Sequence, residues 1–273
     1  MIANFIITFR ETLEVALIVG IILSYLVKTR QTKYNYIVYF GIASAIIASI
    51  IGAFLFTNIA GGFTGRAEEI FEGITMLIGA LLLTTMILWM MKQKQIAAEL
   101  QNRVATELAE VHKFGLFLLV FVATLREGIE TVIFLGAARF ASANSNLISA
   151  LVGIIVAVFL GYLIFKGSMK INIKKFFNIT SILLILFAVG LMAHGVHELQ
   201  EAKILPTIIE QVWDINPPVN ADGSYPLLHE KGYIGSILKG LFGYNGNPTL
   251  FEVLSYFAYC TIFFMLWRKI PKR

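Results

Sequence analysis

The chain has 273 residues, of which 58% are hydrophobic and only 14% are charged, and its mean hydropathy is +0.77. A soluble domain carries about 25% charged residues, so this composition excludes a soluble enzyme. The net charge of +5 would suggest a nucleic-acid partner only in a soluble chain, and none is expected here. The single cysteine, Cys260, excludes a disulfide framework, a multi-cysteine zinc site and a CxxC redox motif.

Seven apolar runs of about 20 residues are each long enough to cross a hydrocarbon core about 30 Å thick. The runs are continuous and lack the alternation of barrel strands, which indicates an all-α integral membrane protein. The first run contains Arg10 and has no basic residue before it, so it does not resemble a cleaved signal peptide. In chain order the predicted spans cover residues 2–27, 35–57, 69–91, 114–138, 147–166, 176–199 and 250–267.

Lys and Arg residues are unevenly distributed between the two sides of these spans. Fifteen of the 22 lie after spans one, three and five and in the C-terminal tail, whereas five lie in the opposite connections. The remaining two, Arg10 and Arg126, lie inside spans. Because cytoplasmic loops carry the basic excess, we expect the N-terminus outside and the C-terminus in the cytoplasm.

Two connections are long enough to have a structure or role of their own. The segment 92–113 places Ile96, Leu100, Val104 and Leu108 on one helical face. It therefore either lies along the membrane surface or forms a solvated connecting helix. The mildly acidic segment 200–249 would either concentrate cations at the outer face or simply be a solvated loop.

A charged motif occurs twice inside apolar spans. The sequence RETLE at 10–14 in span one recurs as REGIE at 126–130 in span four. Each charge near the bilayer centre costs about 2.5–3.5 kcal/mol on insertion scales, so six charges facing lipid would cost roughly 15–20 kcal/mol. The motifs must therefore face the protein interior or water. On a helix, the two Glu of a motif share one face, and the Arg lies close enough to the second Glu to pair with it.

This pattern favours a carboxylate site over a purely structural pair of ion bridges, which remains the alternative. Fixing two helices needs only one Arg–Glu pair, whereas each copy supplies a second Glu. Four Glu and two Arg leave two negative charges, which a multivalent cation would offset. Glu ligands without Cys or paired ExxH motifs favour a hard or borderline metal ion, or protons, without saying which.

The two copies are three spans apart, an odd number, so the halves that contain them would cross the membrane in opposite directions. Such inverted repeats are typical of transporters, whose sites lie at the repeat interface. The predicted units are a first three-helix repeat at 1–91, a cytoplasmic amphipathic connection at 92–113, a second three-helix repeat at 114–199, an extracellular loop at 200–249 and a seventh helix with a basic tail at 250–273.

These features resemble the oxidase-dependent iron transporters, which include fungal high-affinity iron permeases and bacterial EfeU-type permeases. The resemblance covers nearly the whole chain and rests on four segments: the doubled RExxE, EExxE at 68–72, VHELQE at 196–201 and GYNGNPT at 243–249. The family motif usually has Gly-Leu between its two Glu, where this chain has Thr-Leu and Gly-Ile. The resemblance implies seven helices, an outside N-terminus and high-affinity iron uptake across the cytoplasmic membrane of a bacterium.

The same resemblance implies the roles of individual residues. It makes iron the transported substrate, with no prosthetic group and no enzymatic activity. Acidic residues in a first helical turn also complement the helix dipole, and the His and Glu of span six could serve packing and loop hydrogen bonds instead. The implied ligands are Glu11, Glu14, Glu127 and Glu130, oriented by Arg10 and Arg126, with Glu69 and Glu72 as outer ligands and Glu68, His194, His197, Glu198 and Glu201 as a candidate entrance.

Two residue types are assigned structural roles. Glu252 follows Thr249 by three positions, which predicts a capping box at the start of the last helix. The methionines are expected to be ordinary packing residues; they include Met76, Met86, Met90, Met91 and Met192.

Partners and rival functions complete the expectations. Bacterial relatives work beside an extracellular or periplasmic iron-binding lipoprotein and a haem peroxidase, and fungal ones beside a ferroxidase. One rival is a transporter of another divalent cation or of protons on the same fold. The other is an intramembrane metalloenzyme subunit, which would need histidines near the motifs, and none of the four histidines lies near either motif in its span.

Overall fold

A computed structural model describes residues 2–92, 113–141, 147–166, 173–220 and 222–269. Within these ranges the chain is helical and has no β-strand, which confirms the all-α prediction. The predicted cytoplasmic connection covers residues 92–113, and residues 93–112 of it lie outside the described ranges. The helices are α1 (Ile2–Lys28), a 3₁₀ turn (Thr32–Tyr34), α2 (Asn35–Ala60), α3 (Arg66–Lys92), α4 (Lys113–Ala141), α5 (Leu147–Phe165), α6 (Ile173–Glu201), α7 (Tyr233–Phe242) and α8 (Leu250–Arg268).

Five helical segments are long and apolar enough to cross a membrane, so the chain is a multi-pass membrane protein. Helices α1 and α4, with 27 and 29 residues, are as long as the helices of these five segments. They are not among the five because each carries the three charges of an RExxE motif and is therefore less apolar. The five apolar segments are Thr32–Ala60, Arg66–Met91, Leu147–Phe165, Phe177–Glu201 and Leu250–Arg268.

Helices α1 to α6 pair mainly between the two halves of the chain. Helix α1 packs against α5, α2 packs against α4, and α3 packs against α6. If the halves are exchanged, so that α1 becomes α4, α2 becomes α5 and α3 becomes α6, the same set of pairs results. The duplication of the motif is therefore accompanied by a matching symmetry in the helix pairing.

The α1–α5 pair runs parallel. Near the start of both helices, Thr8 Oγ1 donates a hydrogen bond to the Ala150 carbonyl at 2.9 Å. Towards the end of both, Gly20 lies beneath the ring of Phe165, and a Cβ added to this glycine would approach that ring to 2.0 Å. Only a residue without a side chain allows this ring to lie so close to α1.

The α2–α4 pair repeats this arrangement. Ser49 of α2 lies against Gly128 of α4, and further along both helices Phe56 covers Gly136. These helices therefore also run parallel. Gly136 is the counterpart of Gly20 under the 116-residue shift that relates the two motifs. In each half, a phenylalanine of the second helix thus packs on the equivalent glycine of the other half's first helix.

The α3–α6 pair runs antiparallel and is also reciprocal. A Cβ added to Gly73 would lie 3.0 Å from the carbonyl oxygen of Gly195, and a Cβ added to Gly195 would lie 3.0 Å from that of Gly73. Further along α3, Gly79 lies beside Leu191, which comes earlier in α6. This close approach holds the first turns of α3 beside the last turns of α6.

Buried side chains show which helices form the centre of the protein. The largest apolar core joins α1, α3, α4, α6 and α8, with Ile7, Met76 and Phe134 fully buried in it. By contrast, α2 and α5 each bury only four residues and expose most of their large apolar side chains. Because exposed apolar surface of this extent suits lipid, α2 and α5 lie at the periphery and the motif helices at the centre.

The segment between α6 and α8 folds back over the end of α6. The backbone of Gly243, with a φ of +68°, ends α7 and approaches the backbone of Gly190 in α6. At the start of α8, Thr249 and Glu252 form the predicted capping box. Thr249 Oγ1 also donates a hydrogen bond to Gln200 Oε1 at 2.7 Å, which fixes α8 beside the end of α6.

Candidate metal site between the motif helices

The carboxylates of both RExxE motifs and the guanidinium of Arg10 lie in the protein interior, as the cost of placing charges in lipid requires, whereas Arg126 is half exposed. Arg10 is fully buried, and Glu11 and Glu127 are 1% and 2% exposed. Glu14 and Glu130 are partly buried, with side chains 12% and 16% exposed. The carboxylates are therefore largely shielded from solvent by the packing of α1 and α4 against their neighbours.

In the first motif, one guanidinium holds both carboxylates. Arg10 Nη1 lies 3.1 Å from Glu11 Oε1, and its Nη2 lies 3.1 Å from Glu14 Oε1. The predicted pairing of residues four apart is therefore confirmed in this copy. The additional pair with the adjacent Glu11 could not be inferred from helical periodicity.

The second motif repeats these pairs. Arg126 Nη2 lies 3.0 Å from Glu127 Oε1, and its Nε lies 3.2 Å from Glu130 Oε1. Each guanidinium thus neutralises part of the charge of two carboxylates and fixes their orientation. Because each Arg serves two Glu, both motifs keep one uncompensated carboxylate charge when fully ionised.

Carboxylates from the two helices converge. Oxygen atoms of Glu11, Glu14 and Glu127 all lie within 4.8 Å of one another. Ionised carboxylates at this spacing repel strongly when buried, so a cation or protons must balance their charge. This is the arrangement that a metal bridging α1 and α4 requires.

Several carboxylate oxygens have capacity for a ligand. Among the described residues, Oε2 of Glu11, Glu127 and Glu130 has no donor group as a partner, and the carboxyls of Glu11 and Glu127 are close enough to share a proton in a hydrogen bond. Buried polar atoms in proteins are normally paired, and unpaired ones require an explanation. Two of these oxygens, Oε2 of Glu11 and of Glu127, belong to the converging carboxylates and are suited to sharing a proton or to coordinating an ion.

The surroundings of the two arginines come from α3 and differ. The guanidinium of Arg10 lies against the thioether sulfurs of Met86 and Met90, at 2.7 and 2.8 Å. The guanidinium of Arg126 is 49% exposed and lies 5.5 Å from the centre of the Trp89 ring. Two of the methionines expected to be ordinary packing residues therefore contact the site directly. No pattern in the sequence distinguishes them from the others.

The predicted outer acidic residues lie where α3 begins and α6 ends. Glu72 and Glu69 of α3 interact electrostatically with Glu198 of α6. Glu68 is exposed, and Arg139 of α4 lies near enough to Glu72 to offset part of its charge. Glu198 thus faces α3, whereas the other acidic and basic residues at the end of α6 face the outer loop.

The residues at the end of α6 that face the outer loop line a polar cavity of about 500 Å³. They include His194, His197 and Glu201. His197 Nδ1 lies 2.7 Å from Glu252 Oε1, a contact not foreseen in the sequence. The capping-box spacing already gave Glu252 a structural role in the sequence, and its second partner, His197, lies 55 positions earlier in the chain.

Comparison with known proteins identifies the family. The model of the iron permease FTR1 family matches residues 1–271. The ferrous iron permease EfeU of Yersinia pestis is 33% identical over 95% of this chain and 90% of its own length. That of Escherichia coli O6:H1 is 32% identical over 95% and 92%. An uncharacterized protein of Archaeoglobus fulgidus is 34% identical over 90% and 87%.

No solved structure gives a significant match to the chain. The family match nevertheless spans almost all of it, and the bacterial relatives are aligned over most of both lengths. The interpretation as a metalloenzyme subunit is therefore wrong, because the family consists of permeases. The chain belongs to the iron permease FTR1 family, and it is a membrane transporter of iron rather than an enzyme.

Proposed function

We propose that this chain is a high-affinity permease that carries ferrous iron inward across the bacterial cytoplasmic membrane. Its transport site is built from Glu11, Glu14, Glu127 and Glu130. The observation that carries the proposal is the convergence of three of these carboxylates, from two different helices, within 4.8 Å. Two of the relatives compared above are named ferrous iron permeases, which supports Fe²⁺ as the transported species.

The charge of the site fits a divalent ion. When all are ionised, four carboxylates and two guanidiniums sum to two negative charges, which one divalent cation neutralises. Arg10 and Arg126 fix the orientation of the carboxyls and favour their charged form, since a neighbouring cationic group opposes the effect of burial on a carboxyl. Oxygen ligands alone also accept other divalent cations, so this site by itself does not separate iron from manganese.

We propose seven membrane crossings arranged as two inverted three-helix repeats, 1–91 and 114–199, followed by α8. Helices that would cross in the same direction, α1 with α5 and α2 with α4, run parallel in the bundle. Helices that would cross in opposite directions, such as α3 and α6, run antiparallel. The basic excess on one side supports an outside N-terminus and a cytoplasmic C-terminus.

The outer acidic residues fit a collecting role. Glu69 and Glu72, with Glu68 beside them, lie on the side of the bundle that the topology places outside. Glu198 faces them across the α3–α6 contact. We propose that iron delivered by an iron-binding lipoprotein, with a haem peroxidase or ferroxidase partner, meets these carboxylates before it reaches the central site. It then passes inward by alternating exposure or by ligand exchange along the path.

The proposal is tested by radio-iron uptake in iron-starved cells that express single variants. Glu14→Gln and Glu130→Gln keep the size of the side chain and remove one charge from each motif, so uptake should fall to the level of cells without the permease. Asp214→Asn, in the exposed outer loop, is the matched control and should transport normally. Near-normal uptake by either Gln variant, at equal protein level, would overturn the assignment.

Metal competition tests the cargo separately. An excess of manganese should not displace iron from an iron permease, whereas a general divalent-cation transporter would lose iron uptake in proportion to the competitor. Iron uptake that manganese abolishes would transfer the proposal to the wider class of divalent-cation transporters on the same fold.

A further inference from the structure

The guanidinium of Arg10 has hydrogen-bond acceptors of two kinds, on two helices. Within α1, its Nη1 donates to Glu11 Oε1 at 3.1 Å. From α3, Met86 Sδ accepts from Nη1 at 2.7 Å and Met90 Sδ accepts from Nη2 at 2.8 Å. We propose that these two methionines are positioning residues of the iron site: their thioethers hold the guanidinium so that oxygen atoms of the first motif's carboxylates stay free for the ion. This inference rests on the transport site proposed above.

The hydrogen bonds to sulfur leave carboxylate oxygens of the first motif without a donor. Glu14 Oε1 lies 3.1 Å from Arg10 Nη2, yet it accepts no hydrogen bond from any residue that the structure describes. Oε2 of Glu11 likewise has no donor group as a partner among them. Both carboxylates belong to the cluster whose oxygen atoms lie within 4.8 Å of one another. Arg10 therefore offsets the charge of these carboxylates without occupying every oxygen that an ion needs.

A thioether is suited to this position because the side chain of Arg10 is fully buried. A guanidinium has five N–H donors, and a buried donor without an acceptor is costly. A further carboxylate at this place would add a negative charge that competes for the guanidinium and the ion, whereas a thioether is a neutral, weak acceptor. The methionines thus pair with N–H groups that would otherwise turn to the free oxygens of the two Glu residues.

Contacts on the far side of α3 fix the part of the helix that carries the two sulfurs. Met86 and Met90 are four residues apart, so they share one face of α3. Just before them, the Tyr259 hydroxyl of α8 donates to the Ala80 carbonyl at 2.8 Å. Because that hydroxyl proton is used, the Thr84 hydroxyl is the donor in its 2.6 Å contact with Tyr259. These bonds hold α3 in register independently of the motif.

The second half of the chain does not repeat the methionine pair. The 116-residue shift that relates the motifs also matches Gly79 of α3 to Gly195 of α6. With the same shift, Met86 and Met90 correspond to positions 202 and 206, which hold alanine and proline. Both positions follow Glu201, the last residue of α6. The pair is therefore particular to the first copy, and the repeat alone does not account for it.

Radio-iron uptake at a series of iron concentrations tests the proposal in cells that express single variants at equal protein level. Met86→Leu keeps an apolar side chain of similar size and removes the acceptor, so the released N–H group competes with the ion for a carboxylate oxygen. The KM for iron should rise about two- to tenfold, the factor that one hydrogen bond contributes, at an unchanged maximal rate.

Two further variants complete this series. Met90→Leu should raise the KM in the same way, and its half-buried side chain keeps the test available if Met86→Leu does not fold. Met76→Leu is the matched control, because Met76 is fully buried ten residues earlier in α3. It should keep the wild-type KM.

Glutamine at the same positions separates an acceptor role from a packing role. Met86→Gln and Met90→Gln supply a carbonyl oxygen that accepts from Arg10, so the KM should return towards the wild-type value. If the methionines only filled space, the Leu variants would transport normally and the buried amide would be the damaging change. A wild-type KM in both Leu variants, or Gln variants that transport less well than the Leu variants, would overturn the proposal.

The same assay separates this inference from the proposed transport site. Loss of uptake in Glu14→Gln, together with a wild-type KM in both Leu variants, would keep the central site and reject the role of the methionines. Normal uptake by Glu14→Gln would reject the central site and this inference with it.

Discussion

The two RExxE copies form the same ion pairs in different surroundings. In the first copy, Arg10 is fully buried and contacts Met86 and Met90. In the second, Arg126 is half exposed and lies over the ring of Trp89. The repeat thus determines which Glu each Arg holds, while α3 determines how enclosed each copy is. The site therefore has a closed side at Arg10 and a more open side at Arg126.

The largest expected difference between the copies is in stability. Arg10→Met would leave Glu11 and Glu14 buried without their cation, and breaking a buried pair in this way costs about 3–5 kcal/mol. Arg126→Met should cost less, because half of the Arg126 side chain is already exposed in the folded protein, although the buried Glu127 would also lose its cation. Thermal unfolding of both purified variants measures the difference. Equal losses of thermal stability would show that the copies are not closed and open as described.

A second experiment tests the glycine–phenylalanine packing that the two halves share. Gly20→Ala and Gly136→Ala each place a methyl group against a phenylalanine ring, and both should destabilise by about 1–3 kcal/mol, the usual cost of overpacking. Gly52→Ala is the matched control, since no atom lies within 4 Å of an added Cβ there. It should be neutral or slightly stabilising. A large loss at only one of the two equivalent glycines would contradict the reciprocal packing.

The smallest effect concerns the aromatic contact of the open side. Trp89→Leu removes the ring under Arg126, and a cation–π contact at an exposed site contributes about 0.5–1 kcal/mol. We expect a small decrease in thermal stability and a retained, slightly weaker iron uptake. Trp213→Leu, in the exposed outer loop, serves as the control. A complete loss of uptake in Trp89→Leu would mean that Trp89 has a direct role in moving the ion, which the half-exposed contact does not suggest.

Features that depend on local periodicity could be predicted from the sequence. The apolar runs predict the long helices, the four-residue spacing predicts the Arg10–Glu14 pair, and the Thr249–Glu252 spacing predicts the capping box. These arise within one or two turns of a single helix, so the residues that determine them are neighbours in the chain.

Features that depend on how helices meet could not be predicted. The convergence of Glu11 and Glu127 requires the registers of α1 and α4, which are set by glycine contacts with α5 and α2. No single helix reveals which aromatic ring will cover its glycine. The hydrogen bond between His197 and Glu252 could not be predicted for a similar reason. The capping box explains Glu252 from residues within one helical turn, and nothing in the sequence points to a partner 55 positions away.

The most direct test of the central claim is a crystal structure of the protein soaked with Fe²⁺ under anaerobic conditions, with the ion located by its anomalous scattering. A single central peak touching carboxylate oxygens of both α1 and α4, including Glu11 and Glu127, is the predicted result. A peak bound to one motif alone, two separate peaks with one on each helix, or no iron between the motifs would contradict the account.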